Sequence, residues 1–399
     1  MSKWARAHFG DFAKEVSRPV SLHPGIGYRS VGVKWYGEGV HVHETRDGIN
    51  FNAERFEIRA DDLIYNDMWA RQGSVAIVPS DLSGAVASSH FPTFELNRDL
   101  VEPRYLSWYF KTPSFWDDCE EASRGSTGRN QIKRRTFFAI PIPLPPLPEQ
   151  RRIVARIEAL AAKIEESSSL RAQTIEEVEG LVRARAREIL ATITEPRTEL
   201  RGWLDSSREG IQTGPFGAQL SSHEFQESGV PVLTIGNIQY GGLEVVGLKH
   251  VSEEKAQQLD RYAIREGDIL FARMGTVGRC CVVPKKAEGW LINYHVIRVA
   301  LDRHRVDPRF IHWTIRCSDD VERYLEDKIR GATREGVNSG IVGSLPCRIP
   351  SLPEQHRIVA YLDGLQAKVD VLKKLQAETA NELAALLPSI LDKAFKGEL

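Results

Sequence analysis

Residues 145–166 read PPLPEQRRIVARIEALAAKIEE, and residues 350–371 read PSLPEQHRIVAYLDGLQAKVDV. The two stretches align without gaps, identical at 12 of 22 positions and 205 residues apart, about half of the 399-residue chain. The same offset, give or take one, recurs upstream. Phe56-Glu57-Ile58-Arg59 leading into Asp62-Leu63-Ile64-Tyr65 matches Tyr262-Ala263-Ile264-Arg265 leading into Asp268-Ile269-Leu270-Phe271. Pro103-Arg104-Tyr105-Leu106 with Trp108 matches Pro308-Arg309-Phe310-Ile311 with Trp313, and Gly125 and Thr127 match Gly331 and Thr333. A shared bias toward common residues does not keep one register over such a distance, so the chain is read as a tandem duplication.

Each copy has a globular part followed by a helical part. The helical stretches, 148–193 and 353–396, both open on Leu-Pro-Glu-Gln. Proline suits a first helical turn, where its missing N–H has no partner to lose, and Glu149 and Glu354 sit near the positive end of the helix dipole. In the second stretch apolar residues recur at Ile358, Leu362, Leu365, Val369, Leu372, Leu383, Leu386 and Ile390. That is the alternating spacing of a coiled-coil seam, broken at Gln376 and Thr379. The first stretch repeats it at Ile153, Ile157, Leu160, Ile164, Val178 and Leu181, with a polar gap at 167–169. A continuous helix of about 45 residues spans about 67 Å. Pro388 is expected to kink the second helix or end its regular part near Leu387.

Neither seam fits against one small domain, so each helix is expected to take the other as its partner. Antiparallel pairing would relate the halves by an approximate two-fold axis, with the globular parts at opposite ends of a rigid spacer. Duplex DNA has two-fold axes of its own, so such a frame suits the reading of two different half-sites across an unread gap. A coiled-coil scaffold with two unrelated binding heads has the same outline. In the globular parts, strands are expected at 31–33, 63–65, 76–78, 230–235, 269–271 and 281–283, and helices from Pro103 and Pro308. The expected class is α+β: two mixed α/β domains in tandem duplication, separated by two long antiparallel coiled-coil helices.

Composition narrows the function classes. The chain is 42% hydrophobic and 27% charged, with mean hydropathy −0.32. No apolar run approaches the roughly 18 residues of a membrane helix. The start, Met1-Ser2-Lys3-Trp4, has no apolar export core, and five cysteines lack disulfide or zinc spacing. The expectation is a reduced, cytoplasmic protein with no membrane partner. Lys plus Arg number 53 against 54 Asp plus Glu, a net charge of −1, so nothing global argues for nucleic acid.

Local chemistry does. From Ala122 to Pro148 there is no acid, while Arg124, Arg129, Lys133, Arg134 and Arg135 supply five positive charges. Ile269 to Ala287 likewise holds Arg273, Arg279, Lys285 and Lys286 without an acid, and Thr276 lies between them. Arg330 and Arg334 flank the Gly331 and Thr333 counterparts. Such stretches fit phosphate contact, with Asn130 or an arginine available for base edges. The plain alternative is a solvated loop. Arg29, Lys34, Trp35 and Tyr36, then Asn66, Trp69 and Arg71, mix aromatic and hydrogen-bonding groups near strand ends. In the second half, Gly214-Pro215-Phe216-Gly217 with Gln219, and then Asn237, Gln239 and Tyr240, do the same. Trp35 and Trp69 also suit a core, and Gly-Pro-Phe-Gly also suits a simple turn.

A search for catalytic patterns finds no phosphate-binding loop and no dinucleotide fingerprint. His41-Val42-His43-Glu44 suggests a metal cluster, but no further ligand has suitable spacing. No nucleophile elbow is present. The Asn/Asp-Pro-Pro-aromatic signature of amino-methyltransferases is missing, since Pro145-Pro146 stands between Leu144 and Leu147. The chain reads as non-catalytic.

Two variable domains, each followed by a Leu-Pro-Glu-Gln entry into a long helix with Arg-Ile-Val, resemble the specificity subunit of type I restriction–modification systems. The resemblance rests on residues 144–157 and 349–362, on Asp62 and Asp268, and on the 214–217 loop. The first half departs from it, having only Pro24-Gly25-Ile26-Gly27-Tyr28 near that loop position. The resemblance implies target-recognition domains over 1–140 and 196–345, each reading half of a bipartite double-stranded DNA target. It implies conserved helical spacers over 141–195 and 346–399. Glu149, Gln150, Ile153, Ile157, Leu160 and Ile164, with Glu354, Gln355, Ile358, Leu362, Leu365 and Val369, would form the seam and the partner-docking region. Two methyltransferase subunits carrying S-adenosylmethionine would methylate adenine N6, and two motor–nuclease subunits using ATP and Mg would join for restriction. This chain would bind no cofactor itself.

Overall fold

The computed structural model describes residues 4–124, 131–274, 278–329 and 336–399. The chain divides into two compact units, Met1–Arg171 with Gln376–Leu399, and Ala172–Leu375. Each unit therefore contains part of both long helices, which run over Leu147–Ala191 and Leu352–Lys396.

Unit 1 is built on a four-stranded antiparallel sheet in the order Ala13–Val16, Thr93–Leu96, Leu63–Tyr65, Val75–Ile77. Its apolar run Leu63-Ile64-Tyr65 is buried on both faces. Successive side chains on a strand point to opposite sides, so Leu63 and Tyr65 join a helical core with Phe9, Phe94 and Phe137. Ile64 joins Ala76 and Val78 in a second core under Val31, Val33 and Ala87. Those last residues belong to another sheet, ordered Val40–Asp47, Gly27–Val33, Val86–Ala87, Phe56–Glu57, with one parallel pair between Gly27–Val33 and Val86–Ala87.

Unit 2 repeats this plan. Its main sheet runs Ile211–Thr213, Val296–Val299, Ile269–Ala272, Cys280–Val282, again antiparallel throughout. Ile269 and Phe271 face the helical core and Leu270 and Ala272 face the second sheet, Lys249–Val251, Val230–Leu233, Leu291–Ile292. The parallel pair recurs between Val230–Leu233 and Leu291–Ile292. Five of the six expected strands are present within two residues at each end, while the one expected at 31–33 begins four residues earlier, at Gly27. The helices from Pro103 and Pro308 cover Pro103–Tyr109 and Pro308–Cys317. The five cysteines are buried and free.

The duplicated acids at the strand entries explain themselves. Asp62 is buried, accepts the Arg59 N–H at 2.8 Å and pairs with Arg18 at 2.6 Å. Asp268 accepts the Arg265 N–H at 2.8 Å and pairs with Arg208. Gln150 and Gln355 are fully buried, and their role differs from the expected seam and docking one. Gln150 accepts the Glu102 N–H at 2.8 Å and donates to the carbonyls of Leu100 and Pro145 at 2.9 and 2.8 Å. Gln355 accepts the Asp307 N–H at 2.9 Å and donates to Arg305 and Pro350 at 3.2 and 2.8 Å. A side-chain amide has enough donors and acceptors to satisfy all three backbone groups at once. The Pro-Glu-Gln motif is thus a staple between the long helix and the loop before the Pro103 or Pro308 helix.

Within each unit the long helices pair antiparallel. In unit 1, Ile153, Val154 and Ile157 share a core with Leu391, Ala394 and Phe395, and Arg171 donates to the Gln376 carbonyl at 3.0 Å. In unit 2, Val182, Ala186 and Leu190 pack with Ile358, Val359, Leu362 and Val369, and Lys373 pairs with Glu179. Leu160, Ile164 and Leu365 are half-buried. The seam expectations are corrected in part. Leu181 is 68% exposed and Leu386 46% exposed, so neither lies in a seam. After the polar gap the core-facing positions of the first helix step 178, 182, 186, 190, the first of them partly buried, the drift of a straight helix against a globular core and not a strict heptad. Of the two outcomes expected at Pro388, an end near Leu387 is excluded, since the second helix continues to Lys396. The turns beyond it are held because Phe395 packs against Tyr105 and Tyr109, with ring centroids 5.1 Å apart in each pair.

Candidate nucleic-acid interface

The loop joining the second and third described strands of each main sheet in chain order, after Leu63–Tyr65 and after Ile269–Ala272, is anchored by the same backbone bonds. Asp67 N donates to His90 O at 3.0 Å and Asp67 O accepts from Ile132 N at 3.3 Å. Arg273 N donates to His295 O at 2.9 Å and Arg273 O accepts from Val337 N at 2.9 Å. Asp67 and Arg273 are therefore equivalent positions, as are His90 and His295. A rigid scaffold holds the backbone and leaves the side chains free to differ, which is how binding loops are commonly built.

In unit 1 this loop carries Met68 and Trp69, 41% and 38% exposed. Trp69 lies 5.7 Å from Trp35 between ring centroids, and Trp35 and Tyr36 are about half exposed. The two tryptophans are thus surface groups and not core. The loop bearing Trp35 and Tyr36 is pinned by Tyr36 N to Gln72 O at 2.8 Å and Gly37 N to Gly73 O at 3.0 Å. Gly37 has φ +68° and lies so close to the Phe110 carbonyl that an added Cβ would stand 2.5 Å from it. Tyr36, also at positive φ, packs edge-on to Trp116 at 4.9 Å. Lys34 is exposed beside them, Arg71 pairs with Glu120 at 2.6 Å, and Asp67 faces His90 at 3.2 Å.

Unit 2 places a different set at the same position. The Arg273 guanidinium lies 5.4 Å from the Phe216 ring centroid and donates to the Tyr294 carbonyl at 2.9 Å. Phe216, Met274 and Tyr294 are exposed by 54%, 44% and 43%. Gly214 makes this possible. An added Cβ there would stand 2.2 Å from the Asn293 carbonyl oxygen, so only glycine lets the 214–217 loop approach that strand end and present Phe216. Burial, and then the Arg273 charge, hold the His295 imidazole below its usual range.

The sequence-predicted residues divide accordingly. Lys34, Tyr36, Asn66, Arg71, Gly214, Phe216 and Arg273 belong to these loops, Asn66 by capping its own turn through Met68 N at 3.0 Å. Arg124 and Lys133 are exposed on either side of 125–130. Arg29 instead holds the turn at Ser80–Leu82, donating to Asp81 O at 2.8 Å. Asn237 is 3% exposed and is corrected from contact residue to strut. Its amide accepts from Thr234 and donates to Glu244 O, closing a hairpin. Gln219 accepts the Tyr262 hydroxyl at 2.8 Å, Gln239 donates to Gly236 O at 3.1 Å, and Arg279 is half-buried against Ile235 O at 3.3 Å. Tyr240 stands under the Arg316 guanidinium. Arg129, Asn130, Thr276, Arg330 and Arg334 lie outside the described residues. Sequence reasoning missed Met68, His90, Met274, Tyr294 and His295, and aligning the two copies around Asp62 and Asp268 would have pointed to their loops. Among the described residues no group of three or more His, Cys, Asp or Glu is arranged to hold a metal ion, and no helix is long and apolar enough to cross a membrane.

The type I restriction modification DNA specificity domain matches this chain over residues 27–178 and 216–380, and the chain belongs to that family. It is 23% identical over 312 residues to the StySPI type I restriction enzyme specificity subunit of Salmonella potsdam, covering 75% of this chain and 66% of that one. It is 20% identical over 396 residues to the MjaVIII specificity subunit of Methanocaldococcus jannaschii, covering 93% and 88%. The matched stretches thus span about two thirds of the enterobacterial relatives' length. A chain in a structure devoted to complex assembly and conformational transition of a type I R-M system superposes with TM-score 0.70 at 25% identity, covering 99% of this chain and 98% of that one. The HsdS subunit from Thermoanaerobacter tengcongensis shares the fold at TM-score 0.54 and 24% identity, covering 99% and 97%.

Proposed function

We propose that this chain is the DNA-recognition subunit of a type I restriction–modification complex, each unit reading one half of a bipartite duplex target. The observation that carries the reading is the duplicated loop. One backbone anchor presents Asp67, Met68 and Trp69 in unit 1 and Arg273 and Met274 in unit 2, a fixed platform with different contact chemistry. Phosphate contacts position such a protein, and contacts to base edges give the sequence preference. The long helices dock two methyltransferase subunits. Apolar side chains that face away from their seams, Leu181 and Val371 in unit 2 and Leu386 in unit 1, are 68%, 58% and 46% exposed and suit that contact. The chain itself is no enzyme. Adenine N6 methylation belongs to the methyltransferase subunits with S-adenosylmethionine, and ATP- and Mg-dependent restriction to two motor–nuclease subunits. The near-neutral charge of this chain fits a subunit whose partners share the phosphate contacts.

The test is a long-read N6-methyladenine map of the host genome with and without this gene. Loss of one gapped motif, methylated on both strands, is the expected result. An unchanged map, together with a complex that shows no salt-dependent DNA affinity, overturns the reading in favour of a two-headed protein adaptor. Tight operator binding by the chain alone would instead identify a free-standing regulator.

A further inference from the structure

Lys111 and Arg316 hold the same position in the two copies, 205 residues apart, each three residues after a tryptophan. Lys111 Nζ lies 5.4 Å from the Trp108 ring centroid, and the Arg316 guanidinium carbon lies 5.0 Å from that of Trp313. Arg316 also lies 5.6 Å from the Tyr240 ring. Tyr240 follows the Ile238–Gln239 strand of a short hairpin, and Tyr36 follows the Gly27–Val33 strand. In unit 1 the Tyr36 loop touches the chain just past the Pro103–Tyr109 helix, since a Cβ on Gly37 would stand 2.5 Å from the Phe110 carbonyl and 2.9 Å from Lys111 N. Lys111 therefore stands beside a loop of the candidate recognition surface, and Arg316 beside the hairpin that bears Tyr240.

Several of the neighbouring cations are neutralised. Arg104 pairs with Glu158 at 2.8 Å, and its counterpart Arg309 pairs with Asp363 at 3.2 Å, fastening each helix to a long one. Arg71 pairs with Glu120 and Arg187 with Glu322, both at 2.6 Å. Lys111 and Arg316 have no carboxylate partner among the described residues. Arg316 lines two cavities, of about 710 and 420 Å³, together with Arg183, whose contact with Glu179 is a long 4.0 Å. Of the acids on those walls, Glu322 and Asp363 are engaged by Arg187 and Arg309, Glu179 by Lys373, and Asp370 accepts from Gln366, while Glu326 stands across the smaller cavity. Stacking on an aromatic face orients a cation without neutralising it and leaves its N–H donors available to an anion.

We propose that Lys111 and Arg316 are the phosphate anchors of the two recognition domains, each taking one backbone phosphate of duplex DNA beside the loop that reads bases. The proposal rests on the reading of the chain as a DNA-recognition subunit. It is tested on the full chain in complex with its methyltransferase partner, by titrating a duplex with the mapped motif and an unrelated duplex between about 50 and 200 mM salt. Lys111→Gln and Arg316→Gln should each lower the slope of log affinity against log salt by about 0.9, one phosphate contact. Affinity should fall alike on both duplexes, with the methylated motif and the melting temperature unchanged, and Lys111→Arg and Arg316→Lys should keep the wild-type slope. A wild-type slope in both glutamine variants overturns the proposal while leaving the recognition reading intact. So does a changed motif, which would make these residues base readers. A wild-type complex without salt-dependent binding would take down the reading and the proposal together.

Discussion

At the loop after its Leu63–Tyr65 strand, unit 1 presents Asp67, Met68 and Trp69 beside Trp35. At the same backbone position unit 2 presents Arg273 and Met274 beside Phe216 and Tyr294. Beneath those surfaces the units keep identical devices: Arg18–Asp62 and Arg208–Asp268, Gln150 and Gln355, Arg104–Glu158 and Arg309–Asp363. What is duplicated is what closes the fold. What differs faces outward, the division that the proposed reading of two unlike half-sites would need.

The largest effect expected is on the shared core. Ile157 and Leu362 are counterparts, both fully buried, one in each unit. Ile157→Asp or Leu362→Asp should destabilise its own unit by about 3–5 kcal/mol, the usual consequence of an unpaired buried charge. Hydrogen exchange would show which segments open. Opening confined to the unaltered unit would break the division into two cores.

The next comparison concerns the staples. Gln150→Leu and Gln355→Leu each leave one backbone donor and two carbonyls without their partner, and should cost roughly 3 kcal/mol. Thermal melts of the two variants should shift to a similar extent. A marked inequality would mean that the two copies no longer depend on the motif equally.

On the recognition surface, Arg273→Ala should weaken target binding by about 1–3 kcal/mol and relax one position in one half of the methylated motif. Trp35→Ala with Trp69→Ala should alter the other half only. A long-read methylation map of each variant checks both, and a change in the same half from either would sink the assignment of one half-site per unit.

The smallest effect separates the units by pH. Burial holds the His312 imidazole down to about 4, next to the Cys280 carbonyl, and unit 1 has Ser107 at that position. An unfolded histidine takes its proton first as pH falls, so unit 2 keeps its full stability above about pH 6.5 and loses it progressively toward pH 4. His312→Gln should flatten that loss, measured as melting temperature against pH, and an unchanged slope would place the titration elsewhere.

Read from sequence alone, the 205-residue register, the two Leu-Pro-Glu-Gln helices and the buried strand runs were all visible. Each is a one-dimensional signal: repeat spacing, helix-start chemistry or a run of β-branched residues. The tertiary structure alone decided that Trp35 and Trp69 face solvent and that Asn237 is spent inside a hairpin. It also decided that Leu181 leaves the seam to Val182, and that the helix survives Pro388. The physical reason is common to all four. Whether a side chain is buried, paired or free depends on the surface brought against it, and those surfaces come from residues far away in the chain: Phe395 against Tyr105, Glu102 against Gln150, Tyr294 against Arg273. Local spacing specifies the elements, and packing between them determines which of their residues remain at the surface.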